Sequence, residues 1–220
     1  MRRRLVRNPE LRGDLRRRSL ACMPIRITRA LILLLALLAT GCSHMIDPDI
    51  KQNPHPVKRY EITMTIEGAP GPFDSIEGHM QFDISNPQCV PQDPVSGARP
   101  TPIERPPIGF TRVSGETYKG VVYLDLMQDD NYYGLGVCHW SMTAAVVSLN
   151  IHGLSLSSDI STNEIVSQKT MMRYFTKESY LDTKRTDSSD FGMPTNNEHY
   201  VTEHPDQFFS TTLTAKESPP

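Results

Sequence analysis

The side chains best suited to chemistry are scattered rather than clustered. Seven histidines are present, among them His79, His139, His152, His199 and His204, and no two stand as a His-x-x-x-His pair. Zinc needs three or four converging ligands, and this spacing promises none, so no metal and no cofactor are expected. Asp125, Asp129, Asp130 and Asn131 resemble a loose calcium loop. They lack the glycine and the distal glutamate of the EF-hand pattern, and an acidic hairpin turn is the plainer reading. A serine nucleophile wants a strained Gly-x-Ser-x-Gly elbow. The chain has none, and Gly153-Leu154-Ser155 reads as a turn. Two carboxylates could still meet in space, but no pattern spells out a reaction, and the chain is read as a non-enzyme.

One stretch combines groups that suit recognition. Residues 129–140 bring Asp129, Asp130, Tyr132, Tyr133 and Trp140 together with Gly134, Gly136 and Cys138. Tyr and Trp offer large, rigid contact area, which is why they lead at binding hot spots. The competing reading is that these rings pack beside a disulfide in the core, as a buried tryptophan does in many two-sheet domains. Packing is favoured for Trp140, and the two readings stand level for Tyr132 and Tyr133. Asp129, Asp130, Tyr132 and Tyr133 are therefore the candidate partner-binding residues.

The elements that must position this stretch begin with an apolar run at residues 31–38. It follows Arg26 and Arg29 and ends in Ala39-Thr40-Gly41-Cys42. A basic segment, a short apolar core and small residues at a cut site form a secretory signal. A membrane span would need about 20 apolar residues, and this run turns polar at Ser43-His44. Leu38-Ala39-Thr40-Gly41-Cys42 resembles the lipobox of bacterial lipoproteins. The resemblance implies cleavage before Cys42, acylation of its thiol and attachment to membrane lipid. Ala39 departs from the commoner leucine. With Ser43 rather than Asp next, the expected location is the outer membrane, facing the periplasm. The arginines of residues 1–22 lie far from the apolar run, and Met23 is expected to be the true start.

Cleavage changes the charge. From Cys42 onward 13 Lys and Arg face 23 Asp and Glu, a formal charge near −10 against −2 for the whole chain. An acidic domain repels phosphate backbones, so nucleic acid is not an expected partner. The 179 residues remaining suffice for one domain with a real core. Cys22 falls in the leader and Cys42 at the anchor, leaving Cys89 and Cys138 to form one disulfide in an oxidising compartment.

Strand signals then recur along the chain. Residues 60–66 and 80–84 alternate apolar with polar. Residues 117–126 read as a strand buried on both sides, 142–151 as another with a helix as runner-up, and 165–175 as a further strand. Residues 207–214 are β-branched and close the domain. Proline-rich 90–107 reads as a long loop headed by Cys89, and polar 176–206 as loop or weak helix. The expected organisation is leader 1–41, lipidated tether 42–57, an all-β domain at 58–216 and a tail at 217–220. The expected fold is a single β-sandwich, immunoglobulin-like or related.

The order of lipobox, Tyr60 strand, Ala69-Pro70-Gly71-Pro72-Phe73, Asn86-Pro87-Gln88-Cys89 and Tyr132 to Trp140 looks like that of small proteobacterial lipoproteins. Some of these are similar to immunity lipoproteins that accompany toxins of type VI secretion systems. The resemblance implies a periplasmic binding protein that blocks a toxin. The alternatives are a structural or assembly lipoprotein of an envelope machine, and an unrecognised hydrolase.

Overall fold

Alternation builds the first strand. Tyr60, Ile62, Met64 and Ile66 are buried while the residues between them are half-exposed. That is the period of a strand with one face in a core. In the computed structural model, which describes residues 48–184, 188–195 and 198–219, this strand is β1 (Arg59–Glu67). The leader, the apolar run and Cys42 lie outside the described residues.

The fold is all-β, with two sheets packed together. The strands after β1 are β2 (Ser75–Ile84), β3 (Ile103–Glu104), β4 (Thr111–Ser114), β5 (Thr117–Tyr123), β6 (Trp140–Ile151) and β7 (Leu154–Ser161). Then come β8 (Met171–Thr176), β9 (Ser188–Asp190), β10 (Met193–Pro194) and β11 (Phe208–Glu217). One sheet has the order β10-β8-β11-β1-β5-β4, the other β3-β2-β6-β7-β9. Apart from the parallel pair β7–β9, the pairings are antiparallel. Ile62, Met64, Val122 and Leu213 from the first sheet meet Phe82, Val147, Leu149, Leu156 and Ile160 from the second in one core. Burying side chains of this size stabilises by about 1.5–3 kcal/mol each. Two polar links tie the sheets at the β7 side. Ser158 and Thr211, both buried, share a hydroxyl–hydroxyl bond of 2.5 Å, and Arg173 reaches Asp159 at 2.9 Å.

Three segments differ from the sequence reading. Residues 154–161 form a full strand although Gly153-Leu154-Ser155 reads as a turn. The turn is His152-Gly153, and the serines that follow alternate with Leu154, Leu156 and Ile160. The expected strand at 165–175 is split. A short helix α1 (Thr162–Val166) comes first, capped by Ser161 and Glu164 in a reciprocal capping box, and β8 starts only at Met171. That box satisfies two backbone donors at once, which outweighs the β-branched character of Ile165 and Val166. The long loop 90–107 is partly laid along a strand edge, since Met80 N–H donates to Pro106 O and Ile108 N–H to Gly78 O. Polar 176–206 carries helices α2 (Lys177–Leu181) and α3 (Glu198–Glu203) besides β9 and β10.

Residues 103–111 cross from the β2 edge of one sheet to the β5 side of the other. Glycines make this crossing possible. A Cβ on Gly78 would stand 2.6 Å from Phe110 Cε2, and one on Gly120 would stand 2.6 Å from Ile108 Cγ2. The Phe110 ring thus lies between two strands that have no side chain there.

Candidate functional site

The site is the 128–140 hairpin, and its position follows from the pairing beyond the end of β5. Past Tyr123 the chain runs against residues 51–58. Asn53 N–H donates to Leu126 O at 2.7 Å, Gln128 N–H to Lys51 O at 3.0 Å, and Leu124 N–H to Lys58 O at 3.0 Å. Asp125 holds the same segment, accepting from Val57 N–H at 3.0 Å and Lys58 N–H at 2.9 Å. Residues 51–53 are therefore bonded to the domain before β1 begins.

The hairpin itself is fixed from three directions. Cys138 is bonded to Cys89, as the cysteine count predicts, with Cα atoms 5.3 Å apart and both side chains buried. Cys138 N–H also donates to Asp130 O at 2.9 Å and closes the hairpin. Asn86 clamps its second arm, donating from Nδ2 to Val137 O at 2.8 Å and accepting His139 N–H at Oδ1 at 2.7 Å. Ser85 adds two donors to His139 O, its N–H at 2.9 Å and its hydroxyl at 3.0 Å. An amide that uses both its ends on one facing backbone reproduces a strand pairing. Sequence reasoning missed Asn86 and Ser85. The signal was Asn86-Pro87, where proline at the start of the 3-10 turn Pro87–Cys89 leaves the asparagine side chain free to bond outward.

The four expected partner-binding residues are brought together here, each with contacts inside the domain. Asp129 accepts Trp140 N–H at 2.8 Å and pairs with His139 Nδ1 at 2.7 Å. Asp130 Oδ1 accepts Asn131 N–H at 2.7 Å. The Tyr132 hydroxyl donates to Gln128 O at 2.6 Å and accepts Lys51 N–H at 3.3 Å, with its ring edge-on to Trp140 at 6.5 Å. Tyr132, Tyr133 and Trp140 pack against a small cluster of Ile84, Cys89, Val90 and Cys138. All three rings remain half-exposed on their outer sides, so the packing reading and the recognition reading describe two faces of the same groups. The indole Nε1 of Trp140 is buried with no hydrogen-bond partner among the described residues.

The Asp129–His139 pair is open to solvent, with 46 % of the Asp129 and 56 % of the His139 side chain exposed. An exposed pair of this kind stabilises by about 0–1 kcal/mol. An aspartate on a histidine is also how a general base is oriented, but Ser85 bonds the His139 carbonyl and not its ring. The carboxylates of the calcium-like stretch serve backbone donors. Among the described residues no three acidic, histidine or cysteine side chains gather as metal ligands.

No family model, characterised protein or solved structure matches this chain.

Outside the hairpin, Asp93 and His79 titrate away from their ordinary values. Asp93, in the long loop, accepts Ser96 N–H, the Ser96 hydroxyl and Val95 N–H, and these hold its carboxyl below the usual range. His79, on β2 beside the crossing segment, is pushed down by burial and then by the Arg105 charge.

Proposed function

We propose that this chain is a lipid-anchored binding protein of the periplasm, without catalytic activity, that neutralises a secreted toxin. The anchor is Cys42, acylated after cleavage, and the location is the outer membrane. The domain is a β-sandwich related to the immunoglobulin-like folds. What supports the sandwich reading is the pair of packed sheets; the strand order departs from the immunoglobulin pattern, since β1 lies inside its sheet beside β11 rather than at an edge.

The observation that carries the binding reading is the 128–140 hairpin. A disulfide, Asn86, Ser85 and Asp129 hold its backbone, while Asp129, Asp130, Tyr132 and Tyr133 keep partly open outer faces. A surface ordered in advance loses less entropy on binding. The acidic mature charge speeds encounter with a basic partner. The partner is a protein and not a nucleic acid.

Two experiments test the reading. Palmitate labelling and fractionation of wild type against Cys42→Ala test the anchor; equal label in both would remove it. For binding, a secreted toxin encoded beside this gene is mixed with wild type and with the Tyr133→Ala/Asp130→Ala double variant. The expected loss of affinity is about 2 kcal/mol or more, the hot-spot scale, in protein still fully folded at the assay temperature, although Tyr133 gives up its packing on the Ile84 and Cys138 cluster. A variant that binds fully, or that is unfolded at that temperature, makes the hairpin structural only.

A further inference from the structure

Leu135, 54 % exposed, sits at the tip of the hairpin between Gly134 and Gly136, whose φ angles are +74° and +110°, and Val137, 45 % exposed, follows at the start of the second arm. A Cβ on either glycine would meet nothing within 4 Å, so these residues are needed for their left-handed backbone and not for room. The turn they make carries two aliphatic side chains into solvent. A lone exposed leucine means little, because much of any protein surface is apolar. What matters here is where the pair lies.

The domain's first described residues leave from the same end. Lys51 is bonded to Gln128 and Tyr132, and the chain toward Cys42 continues from Pro48. Six peptide units separate Pro48 from Cys42, a reach of at most about 21 Å. The ten-residue strands β2 and β11 are each about 33 Å long. The leash is shorter than the domain. A lipid on Cys42 would therefore keep the hairpin end within that reach of the bilayer and prevent the domain from standing on its opposite end, which carries the 68–74 turn and α2.

We propose that Leu135 and Val137 dip into the lipid surface of the leaflet that holds the acylated Cys42, so that the domain stands on the membrane on its disulfide-bonded end. This rests on the lipid-anchor reading. Acyl chains give affinity and a small apolar tip gives orientation, the usual division between an anchor and an interfacial contact. Asp129 and Asp130 behind the tip already hold backbone donors, which lessens their need for water. A partner using Asp130 and Tyr133 would then be met at the membrane surface.

The test uses the full acylated protein in phosphatidylethanolamine–phosphatidylglycerol vesicles containing a lipid spin-labelled high on its acyl chain. Leu135→Trp is compared with Leu181→Trp, which places the new indole on an exposed residue of α2 at the far end. The native Trp140 contributes the same background to both. Expected is roughly twofold or greater excess quenching at position 135, lost when Val137→Asp is added. Hydrogen exchange on the unsubstituted protein gives a second reading, with amides of residues 131–138 slowed in vesicles relative to detergent. Equal quenching at both positions and unchanged exchange, in protein whose amino-terminal peptide carries the acyl mass, overturn this inference and leave the anchor standing. An unacylated peptide from protein found in the soluble fraction overturns both.

Discussion

Replacing Gly78 with alanine tests how the crossing segment closes the side of the domain. The new Cβ would stand 2.6 Å from Phe110 Cε2, 3.1 Å from Phe110 Cδ2 and 3.2 Å from the carbonyl oxygen of Val146. Carbon atoms rest about 3.5–4.0 Å apart, so the ring has to retreat by about 1 Å. Overpacking of this degree costs about 1–3 kcal/mol. Removing a glycine restricts the unfolded chain and returns about 0.4–1 kcal/mol. The net expectation is a loss of about 1–2 kcal/mol, the difference of those two terms. Phe110→Ala alone destabilises by emptying the cradle. With the ring gone, the two closest contacts disappear and the Val146 carbonyl oxygen at 3.2 Å is what remains of the three. Gly78→Ala should then be neutral or slightly stabilising. The pair should couple by about 1–3 kcal/mol in a double-mutant cycle, measured by urea unfolding of the disulfide-bonded protein. Additivity to within about 0.5 kcal/mol would refute the cradle.

Other outcomes follow from the same structure. Cys89→Ala/Cys138→Ala opens a loop of sequence separation 49, and the chain-entropy relation gives a loss of about 4 kcal/mol. With a urea m-value of about 2 kcal/mol per molar, the midpoint falls by about 2 M, and a fall under about 0.5 M would show that the unfolded chain gains little from opening. Asn86→Ala leaves Val137 O and His139 N–H without their partner; faster hydrogen exchange at residue 139 with the disulfide intact is the expected readout, and unchanged exchange counts against the clamp. His79 has a pKa below 6.5 in the folded protein, so the unfolded chain binds more protons below that pH. Stability should be level above about pH 6.5 and decline on acidification below it; His79→Gln should remove that part of the decline, and an unaltered pH profile would contradict the assignment.

Much of the strand framework was legible because it rests on periodicity. Tyr60 to Ile66, Met80 to Ile84 and Val147 to Ile151 put apolar side chains on one face, and each became part of a strand. β2 extends five residues further toward its start than its alternation indicates, since Gly78 has no side chain to mark the inner face. β7 was hidden because Gly153-Leu154-Ser155 reads as a turn in isolation and the serines that follow carry no apolar signal. In the sheet Ser157 bonds Ser148 across the ladder at 3.1 Å and Ser158 bonds Thr211. The second of these links residues 53 apart in the chain, which no local window contains. The split at 162–170 was readable after all, because Ser161 and Glu164 stand at capping-box spacing. Of the site, Cys89 with Cys138 followed from counting. The Asn86 clamp did not, since it depends on which backbone comes to face the asparagine.

The hairpin's construction bears on what kind of function suits it. Loops that close over a substrate need hinges and few fixed backbone bonds. Here the two arms are held by a disulfide, by both ends of one amide and by an aspartate, and the tether segment is bonded to the base through Lys51. Ser85, Asn86 and Asp129 all bond backbone groups of residues 137–140, so the rigid element is the backbone path itself. A rigid path that turns through the left-handed backbone of Gly134 and Gly136 suits presentation, in which the flank keeps one shape and holds the tip out to what it touches. The acidic groups of the flank then act less as chemical agents than as the struts of that shape, and their remaining exposed oxygen surface is what a basic partner would meet. On this argument, substitutions at Asp129 should alter shape and binding together, because Trp140 N–H and His139 lose their acceptor.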